Sequence, residues 1–349
     1  MPLIADSGYC PPRFLRNGHL LTLWASQKRK LRLPWEPYFR TERLETEDGD
    51  FFDVDVLPAL PGAQAAGAVI LSHGLEGSSR RPYMRGMAEI FRRAGWDVLA
   101  RNFRGCSGEP NRTVRMYHGG ETEDLHKTVC WAAGQGYGRL VLAGFSMGGN
   151  QTLKYLGEDP SRVPGQVCAA VGVSVPCDLE GSAEMLDRPS RMLYMAYFMS
   201  SLRRKVREKH ARFPDKVSVA GLSRMVTFEA FDNAYTAPLH GFAGARDYWR
   251  KSSSLPVLGS IRVPVYLLNA ADDPFLSESC FPVELARESR LFTLEMPAHG
   301  GHVGFVSPDA GPYWSEIRAL DFVREAVEAQ RPGAGRGAGQ PLNLSAASL

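Results

Sequence analysis

The feature that most constrains the fold of this chain is a glycine-flanked serine between an apolar run and a helix-forming run. Residues 144–148 read Gly-Phe-Ser-Met-Gly, with the apolar run 140–143 before them and the helical pattern 150–156 after them. In such a G-x-S-x-G turn the serine sits in a strained backbone conformation, and larger residues at the glycine positions would collide with the neighbouring strand and helix. Because the turn exposes the serine hydroxyl, Ser146 is the candidate nucleophile. The alternative is a plain strand-to-helix turn.

A carboxylate that could orient a catalytic base follows a late strand. Residues 263–269 form an apolar run that predicts a buried strand, and Asp272 and Asp273 come directly after it. In a parallel sheet the carboxyl ends of the strands share one edge, so an acid here is expected near Ser146. We prefer Asp273, which stands before a proline, as the orienting acid. Asp272 is expected to cap or brace the turn, and a solvated turn residue is the alternative for either acid.

The candidate base lies in a glycine-rich loop further along the chain. After the strand-like run 291–294, the sequence reads His299-Gly300-Gly301-His302-Val303-Gly304. Glycines on both sides of His302 suit a loop that brings an imidazole close to another backbone segment. His302 is therefore the predicted base, and His299 is expected to play a structural part. The order serine, acid, histidine is that of a hydrolase triad built on a nucleophile turn.

A loop after an early strand offers the last component of such a site. Residues 68–72 predict a buried strand, and His-Gly-Leu-Glu-Gly follows it at positions 73–77. The backbone N–H groups of Leu75 and Met147 are the predicted donors to a developing oxyanion. A tight strand exit with a structural histidine at His73 is the alternative, and it is compatible with the first interpretation.

Several further motifs resemble a known family. These motifs lie at residues 16–24 (Arg-Asn-Gly-His-Leu-Leu-Thr-Leu-Trp), 48–55, 73–79, 101–108, 144–150, 269–274 and 300–305. Together they resemble the YheT-like group of the α/β-hydrolase superfamily, its family four, over roughly residues 10–328. The resemblance implies serine esterase or lipase chemistry, of the short-chain carboxylesterase or monoacylglycerol lipase type. An acyltransferase with the same triad and a non-catalytic lipid-binding member of the fold are the alternatives.

The arrangement of apolar runs predicts the domain organisation. Strand-like runs alternate with helical patterns, which indicates an α/β fold with a mostly parallel central sheet flanked by helices. We expect one domain over residues 1–330, with an N-terminal arm at about 1–47 and a helical cap inserted at about 178–250. Residues 331–349 are rich in glycine, alanine and proline and predict a disordered tail.

The predicted cap contains a helical run that is apolar nearly all round. Met192, Met195, Phe198 and Met199 lie in it and are candidates for a wall that receives an acyl chain. Basic residues follow at 203–212 and are candidates for contact with a membrane surface. The alternative is a cap helix packed on the core, followed by a solvated basic end.

Composition limits the remaining function classes. The 349 residues carry a net charge of +3, which is too small to indicate a nucleic-acid partner. The six cysteines form no C-x-x-C pair, as is typical of reduced thiols rather than a disulfide framework or a metal site. There is no signal-peptide pattern and no apolar run of membrane-spanning length. We therefore expect a cytoplasmic enzyme without metal or cofactor, acting on a small-molecule or lipid ester as a monomer or small homo-oligomer.

Overall fold

The computed structural model describes residues 3–27, 40–63, 65–308 and 311–330. Within these residues, nine strands form one sheet in the order β1-β9-β8-β7-β6-β4-β5-β3-β2. The strands are β1 (Leu3–Ile4), β2 (Arg40–Glu45), β3 (Phe51–Leu57), β4 (Gly67–Ser72), β5 (Trp96–Arg101), β6 (Leu140–Phe145), β7 (Val167–Val173), β8 (Val265–Leu268) and β9 (Phe292–Glu295). Neighbouring strands are parallel from β5 through β4, β6, β7, β8 and β9 to β1, whereas β3 pairs antiparallel with both β2 and β5.

The helices of the described residues pack on the two faces of the sheet and in the insertion between β7 and β8. They are α1 (Gly18–Gln27), α2 (Pro82–Arg93), α3 (Glu123–Gly134), α4 (Met147–Glu158), α5 (Leu179–Leu186), α6 (Met192–Arg212), α7 (Phe228–Phe231), α8 (Ala237–His240), α9 (Ala245–Ser252), α10 (Val283–Glu288) and α11 (Trp314–Ala329). Helices α2 and α11 pack on one face of the sheet, and α3 and α4 pack on the other. The predicted α/β fold is confirmed.

The central strand β6 shows why its sequence is continuously apolar. All six of its residues are buried. Because successive side chains point to opposite faces of a sheet, Val141, Ala143 and Phe145 join the core under α2 and α11. Leu140 and Leu142 join the core under α3 and α4. A strand with helices on both faces has no solvent-facing side, so no polar residue interrupts it.

The cap lies between β7 and β8. Helices α5 to α9 occupy it, with a π-helical turn over Asp232–Thr236 joining α7 to α8. The cap has an apolar cluster of its own, built around Met195, Met199, Leu202 and Phe231. These helices span residues 179–252, and the insertion was predicted at about 178–250. The predicted disordered tail, at 331–349, lies outside the described residues.

Candidate active site

The turn at Ser146 has the strained geometry that its flanking glycines predict. Ser146 lies between β6 and α4 with φ 52° and ψ −123°, a conformation that is uncommon for a residue with a side chain. A Cβ on Gly144 would come within 2.3 Å of the Gly148 carbonyl oxygen, and one on Gly148 would lie 2.4 Å from that of His73. Both positions thus exclude any larger residue, and the tight packing fixes the serine at the carboxyl edge of the sheet.

The structure places Ser146 and Asp273 within hydrogen-bond distance of the two ring nitrogens of His302. Ser146 Oγ lies 2.9 Å from His302 Nε2. On the other side of the ring, His302 Nδ1 lies 2.9 Å from Oδ2 and 3.1 Å from Oδ1 of Asp273. With Nδ1–H donated to the carboxylate, Nε2 presents a lone pair to the serine hydroxyl. This is the tautomer that a general base requires.

The neighbouring pair Asp272 and His299 holds the loop rather than the serine. Asp272 Oδ1 accepts a hydrogen bond of 2.8 Å from the N–H of Gly301, and its Oδ2 lies 3.3 Å from His299 Nδ1. Gly301 directly precedes His302 in the chain. The brace predicted for Asp272 and the structural part predicted for His299 therefore match their contacts.

Helix α1 and a residue after β7 fix the backbone of the histidine loop from outside. The N–H of His302 donates to Thr22 Oγ1 at 2.8 Å, and the N–H of Val303 donates to Ser174 Oγ at 2.9 Å. The Thr22 hydroxyl in turn donates to the carbonyl of Gly18 at 2.7 Å. Sequence reasoning placed Thr22 in the motif at 16–24 without assigning it a role, and it missed Ser174. Thr22 carries no local signal of this role, since its partner is 280 residues away.

The two predicted oxyanion donors both line the space beside Ser146. Met147 is the first residue of α4, so its N–H has no acceptor within the helix. The amides on either side of Leu75 are engaged: Gly74 N–H donates to Tyr83 Oη at 3.0 Å, and Glu76 N–H donates to Tyr117 Oη at 3.0 Å. These two bonds anchor the loop around the Leu75 amide.

A buried charge network underlies that loop. Glu76 is 7 % exposed, has φ 53°, and its carboxylate accepts hydrogen bonds from Tyr117 and Ser201. Lys205 Nζ lies 2.9 Å from Glu76 Oε1. Burial alone would raise the pKa of Glu76, but Lys205, Ser201 and Tyr117 together hold it below its ordinary value. Since Ser201 and Lys205 belong to α6, the cap is tied directly to the predicted oxyanion loop.

His73 supports the same loop as a neutral residue. Its Nδ1 lies 2.7 Å from the Gly74 carbonyl oxygen, and its Nε2 accepts from the N–H of Phe103 at 3.1 Å. Complete burial lowers the pKa of His73 to about 3, which keeps the ring uncharged. The structural histidine considered for this position agrees with these contacts.

An apolar cavity opens beside Ser146 and His302. Its lining combines the predicted oxyanion residues with the cap, through Leu186, Phe198, Leu202, Phe228 and Trp249 among others. Ligand sites are commonly apolar spaces with a few polar groups. The arrangement can hold an acyl chain against the serine hydroxyl.

The four candidates for the acyl wall divide between three environments. Phe198 lines the cavity, whereas Met195 and Met199 are buried in the core of the cap. Met192 is 68 % exposed at the surface. Of the predicted wall, only Phe198 is therefore found on the cavity.

One acidic cap residue also lines the cavity. Asp232, in the π-helical turn, accepts hydrogen bonds from Thr236 Oγ1 at 2.6 Å and from Trp249 Nε1 at 2.8 Å. Burial raises the pKa of Asp232 from 3.8 to about 6, and these two hydrogen bonds offset only part of that effect. Sequence reasoning missed this residue, since a lone acid in a cap resembles an ordinary solvated one. Among the described residues, no group of three or more histidine, cysteine or acidic side chains could hold a metal ion.

Comparison with known proteins identifies the family. The family model described as the alpha/beta hydrolase fold matches residues 67–307. The chain is 34 % identical over 331 residues to YheT of Escherichia coli (strain K12), whose name assigns it to the esterases; the match covers 93 % of this chain and 96 % of that protein. It is 30 % identical to phospholipase ABHD3 of Homo sapiens, over 83 % of this chain and 73 % of the relative. The monoacylglycerol lipase of Saccharomyces cerevisiae is also 30 % identical, over 74 % of this chain and 59 % of the relative.

Solved structures agree on the fold. The Pyrococcus furiosus esterase PF2001 superposes with a TM-score of 0.55 at 19 % identity, covering 85 % of this chain and 96 % of that one. The α/β hydrolase GrgF from Penicillium superposes with a TM-score of 0.52 at 20 % identity, covering 83 % of this chain and 99 % of that one. The chain therefore belongs to the α/β-hydrolase superfamily, among its esterase- and lipase-type members related to YheT.

Proposed function

We propose that the protein is a serine carboxylic-ester hydrolase with Ser146 as nucleophile, His302 as base and Asp273 as the orienting acid. The observation that carries the proposal is the pair of contacts at His302, 2.9 Å to Ser146 Oγ and 2.9 Å to Asp273 Oδ2. Because the serine is held on a strained turn at the wall of an apolar cavity, its hydroxyl faces the space where an ester would bind.

The first half of the reaction forms an acyl-enzyme. His302 Nε2 removes the hydroxyl proton while Ser146 Oγ attacks the ester carbonyl carbon, and Asp273 stabilises the resulting imidazolium. The carbonyl oxygen becomes an oxyanion that accepts from the N–H groups of Leu75 and Met147. When the tetrahedral intermediate collapses, the alkoxide leaves and takes the proton from His302.

The second half releases the acid. Water enters after the alcohol has left, His302 takes one of its protons, and the hydroxide oxygen attacks the acyl carbonyl carbon. The intermediate expels Ser146 Oγ, which recovers its proton from the imidazolium.

The apolar cavity favours an acyl group over a polar one. Its lining by Phe198, Leu202 and Phe228 suits the chain of a fatty ester, in agreement with the lipases among the relatives. A short-chain carboxylesterase and a monoacylglycerol lipase both fit this description. The predicted contact of the basic cap region with a membrane and the predicted oligomeric state stay predictions.

Hydrolysis measured over a series of esters tests the proposal. We would assay p-nitrophenyl esters from acetate to palmitate and 1-monoacylglycerols with the parent protein and with Ser146→Ala. Turnover that disappears in Ser146→Ala, together with covalent labelling of Ser146 by a fluorophosphonate, is the expected result. Labelling that persists in Ser146→Ala, or that is absent from the parent, would show that the nucleophile assignment is wrong.

Product analysis separates the two alternatives. An acyltransferase would label with the fluorophosphonate but would transfer the acyl group to an added alcohol in preference to water. A non-catalytic lipid-binding protein would bind the ester without labelling or turnover. The aligned triad favours chemistry over binding alone, since binding needs no base beside the serine.

A further inference from the structure

Large apolar side chains are exposed mainly at one place on the described surface. Ten such side chains are exposed in the described part of the chain, and seven of them belong to α1, to the turn before it and to the start of α6. We call these seven the α1/α6 surface: Phe14, Leu20, Leu23, Trp24, Met192, Leu193 and Tyr197. Exposed apolar residues that gather in this way, rather than scatter, indicate an interaction site.

The two parts of this surface are in contact. The rings of His19 and Tyr194 stack with centroids 5.7 Å apart, and His19 Nδ1 lies 3.1 Å from Tyr194 Oη. Phe14 packs edge-on against Trp24 at 5.6 Å. The exposed side chains of α1 therefore continue onto the first two turns of α6 as one surface.

The two segments that carry the surface have charges of a single sign. The chain has no acidic residue from position 7 to 27, nor from 188 to 207. Exposed cations in these two segments are Arg13, Arg16, Arg188, Arg204 and Arg207. The next acid along α6 is Glu208, 3.9 Å from Arg204. Apolar side chains flanked by cations are typical of surfaces that lie on an anionic lipid interface, with the apolar groups below the headgroups and the cations beside the phosphates.

The surface also lies next to the cavity. On α6, Leu193 and Tyr197 face solvent, whereas Phe198 and Leu202 line the cavity. A run of ring contacts leads inward: Tyr194 to Phe275 at 4.8 Å, and Phe275 to His302 at 4.1 Å. A bilayer against the α1/α6 surface would thus be separated from the catalytic groups by a single helix.

We propose that the α1/α6 surface docks the protein on membranes that contain anionic phospholipid. The contact is made by α1 and the apolar start of α6, with Arg13, Arg16 and Arg188 at the lipid phosphates. It differs from the contact predicted for the basic region at 203–212, because the apolar residues of the N-terminal arm carry most of it. A cationic protein partner is disfavoured, since the two segments that carry the surface contain cations and no acid.

Vesicle flotation tests the proposal without relying on catalysis. Ser146→Ala protein, which leaves the lipid intact, is mixed with phosphatidylcholine vesicles that either contain or lack phosphatidylglycerol. We expect binding to the anionic vesicles, weaker binding to the neutral ones, and a loss on adding salt. The triple variant Leu20→Gln/Leu23→Gln/Leu193→Gln should bind anionic vesicles roughly tenfold more weakly.

A matched control replaces exposed apolar residues elsewhere. Val226 and Leu291 are 59 % and 39 % exposed, and Leu291 precedes β9 at the sheet edge opposite the triad. The variant Val226→Gln/Leu291→Gln should bind like the parent. Circular dichroism and the melting temperature, which should be unchanged in both variants, establish that each is folded.

Three outcomes would overturn the proposal. The first is equal vesicle binding by the triple variant and the control, and the second is no binding by the parent. The third is a parent protein that is dimeric in solution and becomes monomeric in the triple variant without binding vesicles, which would assign the surface to contact between two copies. Failure of ester hydrolysis would leave the vesicle result unaffected, so the two proposals fail separately.

Discussion

At the scale of single residues, two adjacent acids are held in different ways. Asp273 faces the ring of His302, whereas Asp272 accepts from the backbone of Gly301 and lies beside His299. Only the first can stabilise positive charge on the proposed base as a reaction proceeds. The second determines where the loop sits.

This difference predicts unequal effects of two matched substitutions. Asp273→Asn should lower kcat by about 10⁴-fold, the loss seen when a serine protease triad receives an amide at this place, because the base is held in the wrong tautomer. Asp272→Asn keeps an oxygen for the Gly301 N–H, so its kcat should stay within about tenfold of the parent. Ester hydrolysis at saturating substrate measures both. Equal losses in the two variants would contradict the assignment of Asp273.

Glu76 is expected to act as a positioning residue for the predicted oxyanion loop. Glu76→Ala removes the acceptor of Tyr117 and Ser201 and the partner of Lys205, and should lower kcat about tenfold with little change in KM. Glu76→Gln retains an acceptor oxygen and should recover part of the rate.

Binding of a boronic acid that mimics the tetrahedral intermediate separates this role from a general loss of structure. Its affinity should fall in proportion to kcat, because both depend on the oxyanion donors. Glu109→Ala, at an exposed glutamate of a neighbouring loop that pairs with Arg43, is the control and should leave both quantities unchanged. A fall in kcat without a fall in affinity would contradict the prediction.

The residues that the sequence predicted for the site all carry local signals. Ser146 has its flanking glycines, Asp273 precedes a proline after a strand, and His302 stands in a glycine-rich loop. Thr22 and Lys205 have no such signal. Their roles come from partners that are distant in sequence, His302 for Thr22 and Glu76 for Lys205, and only the tertiary fold brings these groups together.

At the scale of elements, α6 shows where a sequence pattern becomes uninformative. The helix is apolar nearly all round at its start, so periodicity does not reveal which side meets the cavity. In the structure, Phe198 faces the cavity, Met195 and Met199 face the core of the cap, and Met192 faces solvent. One run of similar residues therefore serves three environments.

The preference of the enzyme for the acyl-chain length of its ester should depend on which side of α6 is substituted. Phe198→Ala enlarges the cavity and removes apolar contact, so it should raise KM for long-chain esters several-fold while leaving short esters nearly unaffected. Met192→Ala, on the exposed side of the same helix, is the matched control and should keep the parent profile. The assay is the p-nitrophenyl ester series. Equal changes in both variants would show that Phe198 makes no specific contact with the acyl chain.

At the scale of the whole molecule, buried Asp232 links stability to pH. Its pKa is raised from 3.8 to about 6 by burial, so the folded protein binds this proton more tightly than the unfolded chain. The protonated group favours the folded state below about pH 4, and this contribution is lost as the pH rises through 6. Above that pH, a buried carboxylate remains.

Removing the charge should therefore stabilise the protein only at neutral pH. Asp232→Asn should raise the free energy of unfolding by up to about 3 kcal/mol near pH 7, and by little near pH 4, relative to the parent. Urea denaturation at the two pH values measures the difference. Asp215→Asn, at an exposed position of the same cap, should show no such pH dependence. If Asp232→Asn raised the free energy of unfolding equally at both pH values, ionisation of Asp232 would be excluded as the cause.

The central sheet was the most predictable part of the molecule. Continuous apolar runs at 140–143 and 263–269 predicted buried parallel strands, and the structure has β6 and β8 there. The edges were less predictable: β1 has two residues, and β2 and β3 pair antiparallel through residues such as Arg43 and Asp53. The pairing of β1 depends on β9, which lies far along the chain, and the charged residues of β2 and β3 obscure the alternation that marks a strand, so local pattern does not predict these edges.

The bond from His302 N–H to Thr22 Oγ1 joins residues 280 positions apart. Closing such a long loop costs more chain entropy than closing a short one, so we expect this contact to form late in folding. It joins a helix near the start of the described residues to the loop that carries the proposed base. During refolding from denaturant, ester hydrolysis should therefore return later than the overall tryptophan fluorescence, which would make enzymatic activity a reporter of a late step of folding.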